Sequence, residues 1–386
     1  MDTTPISAVQ RFRVRALALA GLLAATFLST PLAALAAEPI VIGQVAPFSG
    51  PQAVTGKAMN AGAKLYFDAV NLKGGVRGRP IKLVTRDDGQ KPEESVRLAR
   101  ELISAESPIA LISTVGTANL EALAKDGVLT QTKVSLIGAV SGAATVVKAP
   151  GMHIVKASYH DEVGRLFDQL SHVGVKRVGL VYQDDGLGRD VLAGAEAAAK
   201  QHGIELAVTT GYPRNTVQVE KSVADIINAK VGVVFLGATT AAGIEFVKQY
   251  SAKGGQGILY GLSIIDTDAL LKALGPERSR GYAFSVVLPT PQQTNLAVVR
   301  EYLALKAASN NPDLSARSIE GFIAAKALVK ILETSNNLTA AGVTQAMNNA
   351  SSVDVGGYTL DFSSNDRPGS RFVDFAMFGS NGKILQ

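Results

Sequence analysis

From Pro39 onward, short β-branched apolar runs alternate with longer stretches of helical periodicity. The runs that predict strands lie at 40–45, 81–86, 109–113, 134–137, 153–156, 178–182, 205–210, 231–236, 257–261 and 282–286. Between them the spacing predicts helices over 57–72, 92–105, 161–172, 187–202, 217–228 and 242–252. Strand, helix, strand repeated with short links predicts parallel sheets covered on both faces. One block of this alternation ends near Lys156 and a second runs from about Asp161 to Val286, each suiting one doubly wound sheet. The fold class expected is therefore α/β, with two doubly wound parallel-sheet lobes. The segment 292–333 is mainly helical and must pack on an existing domain. The tail "GGYTLDFSSNDRPGSRFVDFAMFGSNGKI" predicts two strands joined by a polar turn.

The N-terminus changes the picture of where the chain works. Arg11, Arg13 and Arg15 precede an apolar block at 16–28, a break at 29–31 and the small-residue stretch "ALAA". That order predicts a secretory signal peptide over 1–36, cleaved after Ala36, with cleavage after Ala37 as the alternative. The apolar block is short of the ~20 residues a bilayer span needs. A soluble, exported mature chain is expected. It has no cysteine, so neither disulfides nor thiolate metal sites arise. The full chain carries 38 Lys and Arg against 33 Asp and Glu. Removing Arg11, Arg13, Arg15 and Asp2 leaves 35 and 32, a formal charge of +3. Without a basic run or arginine–aromatic interleaving, nucleic acid is not an expected partner.

Several motifs invite chemistry that their spacing denies. "GPQAVTGKA" (50–58) has five residues between its glycines and Ala58 after Lys57, where a phosphate loop needs four residues and a hydroxyl. It reads as a strand-to-helix loop at the cleft mouth. "DDGLGRD" (184–190) has Val191 where a dinucleotide fingerprint needs its third glycine, so a turn capping the next helix is expected. The four histidines show no ligand spacing, and His172 and His202 suit helix C-termini. No Ser lies in G-x-S-x-G, and no nucleophile–base pair is signalled. The chain is read as neither an enzyme nor a cofactor or metal binder. Asp87 and Asp88 read as exposed turn or capping residues.

Two strand ends stand apart. The strand at 109–113 runs into "TVGTANLEAL", and the strand at 134–137 into "GAVSGAATV". A helix beginning there directs unpaired N–H groups outward, and its dipole favours negative charge. Thr114, Thr117 and Ser141 can add hydroxyl donors, while Gly116 and Gly142 let a ligand approach the backbone. Two such corners on adjacent strands suit one carboxylate. Simple N-capping by Thr117 or Ser141 accounts for the same residues equally well.

The phrases "IVIGQVAPFSGPQAVTGKAMNAGAKLYFDAVNLKGGVRGRPIKLVTRDDGQKPEESVRLARELI", "YQDDGLGRDVLAG" and "LDFSSNDRPGSRFVDFAMF" together resemble the type I periplasmic solute-binding proteins of ABC transporters, in their branched-chain amino acid (leucine/isoleucine/valine) group. The resemblance implies two lobes joined by a three-crossing hinge, 38–158 with 288–354 and 159–287 with 355–386. It also implies a periplasmic monomer that binds a small-molecule ligand and serves a membrane permease of an ABC transporter. Carried over by position, the carboxylate anchors fall on Thr114–Thr117 and Ala139–Gly142. Two family aromatics fall near Thr55 and Leu187, a second-lobe Tyr near Thr239, and the acid that receives a ligand ammonium near Ser263. None of these four is kept. Asp266 is a nearby carboxylate that equally suits a helix N-cap, and Tyr159 stands at the hinge. The ligand-binding candidates are thus Thr114, Gly116, Thr117, Ala139, Ser141, Gly142, Tyr159, Leu187, Thr239 and Ser263. An amino acid or amide is the expected ligand class, with aromatic or other organic acids, or a sensor acting on a receptor, as alternatives.

Overall fold

A computed structural model describes Met1, 37–364 and 366–386. The expected signal peptide, Met1 apart, lies outside these residues. Five strands form the first sheet: β1 (Ile40–Ala46), β2 (Ile81–Asp87), β3 (Ala110–Ile112), β4 (Leu136–Ile137) and β5 (Met152–His153). They run parallel in the order β2-β1-β3-β4-β5. Central β1, "IVIGQVA", is buried on both faces, whereas edge strand β2, "IKLVTRD", exposes Lys82, Thr85 and Asp87. A doubly covered strand reads as a continuous apolar run, and an edge strand can alternate.

The second sheet contains β6 (Arg177–Asp184), β7 (Glu205–Pro213), β8 (Val233–Gly237), β9 (Ile258–Gly261), β10 (Ala283–Val286), β13 (Asp374–Phe378) and β14 (Ile384–Leu385). Its order is β14-β13-β10-β9-β8-β6-β7, with β13 and β14 antiparallel to their neighbours. The remaining strands, β11 (Val353–Asp354) and β12 (Thr359–Leu360), pair with each other. All ten expected strands of the two blocks form, although β4 and β5 are shorter than their apolar runs. The chain passes between the sheets after β5, after β10 and between β12 and β13.

The last passage corrects the tail. Its two predicted strands, β12 and β13, lie in different sheets, and the polar segment between them is the connection rather than a hairpin turn. Val355, Tyr358, Leu360 and Phe362 pack into the first sheet's core beside Val155 and Val287. Tyr358 Oη donates to Val155 O at 2.9 Å. Residues 355–362 therefore join the first lobe, not the second, because their apolar side chains face that core.

The helix Ser318–Thr334 positions the site. It is apolar almost all round and crosses the helix Ala53–Leu72 at paired glycines. A Cβ on Gly62 would stand 1.8 Å from Ser318 O, and one on Gly321 would stand 2.1 Å from Met59 O. Only glycine permits so close a crossing. It sets residues 317–320 against the strand ends. Helix starts also come earlier than the periodicity predicts: Ala53 rather than 57, and Tyr159 rather than 161. At the second, Ser158 and Asp161 form a capping box.

Candidate functional site

At the end of β3 the chain turns sharply, with Ser113 at φ +54° and Gly116 at φ +102°. The turn after β4 is bonded to it. Val140 N donates to Thr114 O at 2.9 Å and Gly116 N to Val140 O at 3.3 Å. This bridge brings Thr117 Oγ1 within 2.8 Å of Ser141 Oγ. The N-cap of the helix Thr117–Asp126 is Gly116, so Thr117 is not the cap. Ser141 Oγ does accept from Ala143 N at 3.1 Å, which gives it a local structural role as well. Thr114 Oγ1 and Ser113 Oγ are buried with no hydrogen-bond partner among the described residues.

The glycines of these corners are approached by protein. A Cβ on Gly116 would lie 2.1 Å from Gln90 Nε2, and one on Gly142 would lie 2.7 Å from Tyr159 N. Tyr159 N donates to Gly142 O at 2.9 Å, stitching the hinge to the second corner. Tyr159 fills the space beside Gly142, whereas Gly116, with the Gln90 side chain next to it, still borders the cleft. Burial pushes the Tyr159 phenol up, so it stays protonated.

Across the cleft, the opposing wall carries charge. Asp185 caps the helix Gly186–His202 by accepting from Gly188 N at 3.3 Å. Its other oxygen accepts from Gln183 Nε2 at 2.7 Å and pairs with Arg214 Nε at 3.3 Å. Burial raises the Asp185 pKa, and these donors oppose the rise. Arg214 then reaches the first lobe, donating from Nη2 to Gln90 O at 2.9 Å and Asn119 Oδ1 at 3.1 Å. Asp88 holds that end by accepting from Gln90 N, Ser95 Oγ and Asn119 Nδ2. Asp88 is thus buried, against the expectation of an exposed turn residue, while Asp87 is exposed and anchors Phe48 N and Ser49 N.

Behind the hinge lies a buried ionic network. Lys156, Glu162, Glu320 and Arg317 are 0, 1, 1 and 6% exposed. Lys156 Nζ pairs with Glu320 Oε1 at 3.2 Å. Arg317 Nη2 stands 3.0 Å from Glu320 Oε2, at an angle that gives charge contact without an aligned hydrogen bond. Arg317 Nη1 donates to Ser263 O at 2.8 Å. Ser263 N and Oγ both donate to Glu162, at 3.0 and 2.9 Å, and Ser285 Oγ donates to it as well. Burial raises the Glu162 pKa, with Lys156 and the serine donors pulling against it, and burial lowers that of Lys156.

Strand-end corners, hinge and opposing wall enclose one cavity of about 40 Å³, lined among others by Thr117, Tyr159, Leu187, Thr239 and Arg317. That volume holds only about three waters, so admitting a larger solute requires the lobes to part. A larger open groove of about 690 Å³, beside the C-terminal end of the helix Ser318–Thr334, is lined by the polar side chains of Asn336, Asn337 and Asn349 and lies away from the strand ends.

The family described as "Periplasmic binding protein" matches residues 39–383. The chain belongs to the periplasmic binding proteins. A substrate-binding periplasmic protein from Ralstonia solanacearum is 41% identical, with a TM-score of 0.87 over 90% of this chain and 99% of that one. A possible leucine/isoleucine/valine-binding protein from Rhodopirellula baltica is 26% identical, with a TM-score of 0.84 over 91% and 97%. The Leu/Ile/Val-binding protein homolog 7 of Brucella suis is 24% identical over 377 residues, 92% of each chain. Type I periplasmic binding proteins of the branched-chain amino acid group are thus the relatives of this chain, as its sequence phrases imply.

For a periplasmic binding protein the cleft is where the candidates belong, and five of the ten reach it: Gly116, Thr117, Tyr159, Leu187 and Thr239. Ser141 stands one hydrogen bond behind, on Thr117. Thr114, Ala139 and Gly142 are buried in the supporting turns and do not line the cavity. Ser263 does not face it either, because its hydroxyl is turned onto Glu162. Asp266 is the N-cap of the helix Thr267–Ser279, accepting from Ala269 N at 2.9 Å, and its second oxygen accepts from Ser315 Oγ. The reading of the sequence missed Gln90, Glu162, Tyr212, Arg214 and Arg317. Tyr212 Oη accepts from Thr239 N at 3.1 Å, supplying a second-lobe tyrosine from a different strand. Arg317 alone left a signal, being a cation at a helix start, where the dipole disfavours it.

Proposed function

We propose that this protein captures a small carboxylate-bearing solute between its lobes outside the cytoplasm and delivers it to the membrane permease of an ABC transporter. The observation that carries the reading is the pair of strand-end hydroxyls, Thr117 Oγ1 and Ser141 Oγ, 2.8 Å apart at a cavity whose far wall comes from the second sheet. Thr117 Oγ1, at the cavity, can turn its proton to an anion while Ser141 Oγ donates to it from behind, at a place where the strand ends and helix start already favour negative charge. The parting lobes admit the solute. Contacts to both walls exist only when the lobes meet, so binding energy drives closure. No bond is made or broken in this cycle.

The variant Thr117→Val with Ser141→Ala tests the reading. Removing both partners of a buried pair leaves little unsatisfied, apart from Ala143 N. Titration calorimetry of wild type against carboxylic acids, amino acids and amides is expected to find a ligand, and the double variant to lose at least about tenfold in affinity. Unliganded stability is expected to fall by about 1–3 kcal/mol, the cost of leaving buried Ala143 N without its acceptor. Unchanged affinity alongside a larger loss of unliganded stability would reduce the two hydroxyls to structural caps.

A further inference from the structure

The buried charges of the cleft are unevenly paired. Glu162 has both oxygens engaged by Ser263 and Ser285. Asp185, the carboxylate on the cavity wall, is saturated by Gly188 N, Gln183 and Arg214. Glu320 is shared between two cations, Lys156 and Arg317. Of the Arg317 donors, Nη1 is satisfied by Ser263 O, Nη2 has only the misaligned contact, and Nε has no acceptor among the described residues. A guanidinium that is 6% exposed and lines a cavity with donors unmet demands an acceptor. Arg317 also precedes the first turn of the helix Ser318–Thr334, so the helix dipole adds to its charge.

We propose that Arg317 joins the strand-end hydroxyls in anchoring the solute's acid group, and that the solute is an organic acid without an ammonium group rather than an α-amino acid. The inference rests on the capture reading above and narrows its substrate class. An ammonium in this cavity finds Asp185 on the wall committed to Gln183 and Arg214, and Glu162 committed to Ser263 behind it, so it would be buried without a countercharge. A carboxylate there meets the unmet guanidinium donors, a geometry arginine favours over lysine. Gln90 Oε1, also buried and without a partner among the described residues, can accept one further N–H or O–H donor of the solute, and Gln90 lines the same cavity.

Three closely matched probes test this by titration calorimetry on the mature protein: leucine, 4-methylpentanoate and 2-hydroxy-4-methylpentanoate, with benzoate and succinate covering other acid shapes. At least one acid is expected to bind at least about tenfold more tightly than leucine, since the cavity offers an ammonium one neutral amide oxygen and no uncommitted carboxylate. Arg317→Gln is expected to weaken that acid about 100-fold, the loss typical of a charged hydrogen-bond donor, while Arg317→Lys retains part of the affinity. Circular dichroism of each variant checks that it is folded, and the wild-type comparison of leucine with its deaminated analogue needs no variant at all. Tighter binding of leucine than of every acid overturns the proposal, and so does full acid affinity in folded Arg317→Gln. If leucine binds and depends on Thr117 but not on Arg317, the capture reading survives and this narrowing fails. If neither acids nor amino acids bind, both fall.

Discussion

The two walls of the cleft are built from opposite materials. The strand-end corners use neutral hydroxyls and backbone groups from two short stretches, bonded to each other across adjacent strands. The charged wall is backed by a network behind the hinge, Lys156, Glu162, Ser263, Ser285, Arg317 and Glu320, of which Arg317 reaches the cavity and one ion pair joins residues 164 positions apart. Neutral corners ask little of the fold, since their hydroxyls carry no charge to desolvate and Ser141 has a local partner in Ala143 N. Charges in a buried site tolerate no missing member, because desolvation is recovered only when the network is complete. Under the proposed function the corners would hold a carboxylate of any solute, and selectivity would fall to Arg317.

The sharpest break in this contrast is Glu320→Ala. It leaves Lys156 and Arg317 buried without their shared carboxylate and is expected to cost about 3–5 kcal/mol in urea unfolding at neutral pH. A cost no larger than that of the Thr117→Val, Ser141→Ala pair would erase the distinction between the walls.

Acid sensitivity should arise in the first lobe rather than in the charged wall. His153, on β5, is held to a pKa of about 4 by burial, against 6.5 when unperturbed, with Phe362 at its edge. Below pH 6.5 the unfolded chain takes up a proton that the folded site refuses. Stability is therefore full above that pH and falls until about pH 4, by roughly 3 kcal/mol. Urea midpoints measured across this range should drop in wild type and flatten in His153→Leu. An equally steep drop in the variant would move the acid response to other groups.

A smaller effect is expected of Arg214→Ala. Arg214 links Asp185 of the second lobe to Gln90 and Asn119 of the first, and it is partly exposed. Its loss should weaken solute binding about tenfold, chiefly through faster release, with little change in melting temperature. Unchanged release rates would show that the lobes stay together without this clasp.

The corners were legible because the signal is local: an apolar run that stops at Gly and hydroxyl residues must turn, and a helix must start. Even so, the two glycines look alike in sequence and differ in place: Tyr159 fills the space beside Gly142, while Gly116 lines the cavity. The charged wall was illegible for the opposite reason. Nothing near Glu162, in an ordinary amphipathic helix start, indicates that Ser263 and Ser285 will cover it. The boundary at 354 was misplaced likewise, since whether Val355 and Phe362 face one core or the other depends on which sheet they meet.

What the sequence determined by itself is the alternation of strands and helices, the two-block architecture and the neutral corners. Periodicity, turn chemistry and capping act over a few residues and need no distant partner. What only the tertiary structure decided is the electrostatic character of the cleft. The glycine crossing of two helices places Arg317 and Glu320 beside Lys156, while Glu162, Ser263 and Ser285 arrive from three other segments. The energy of such charges depends on distance and burial, which emerge only once the chain has folded.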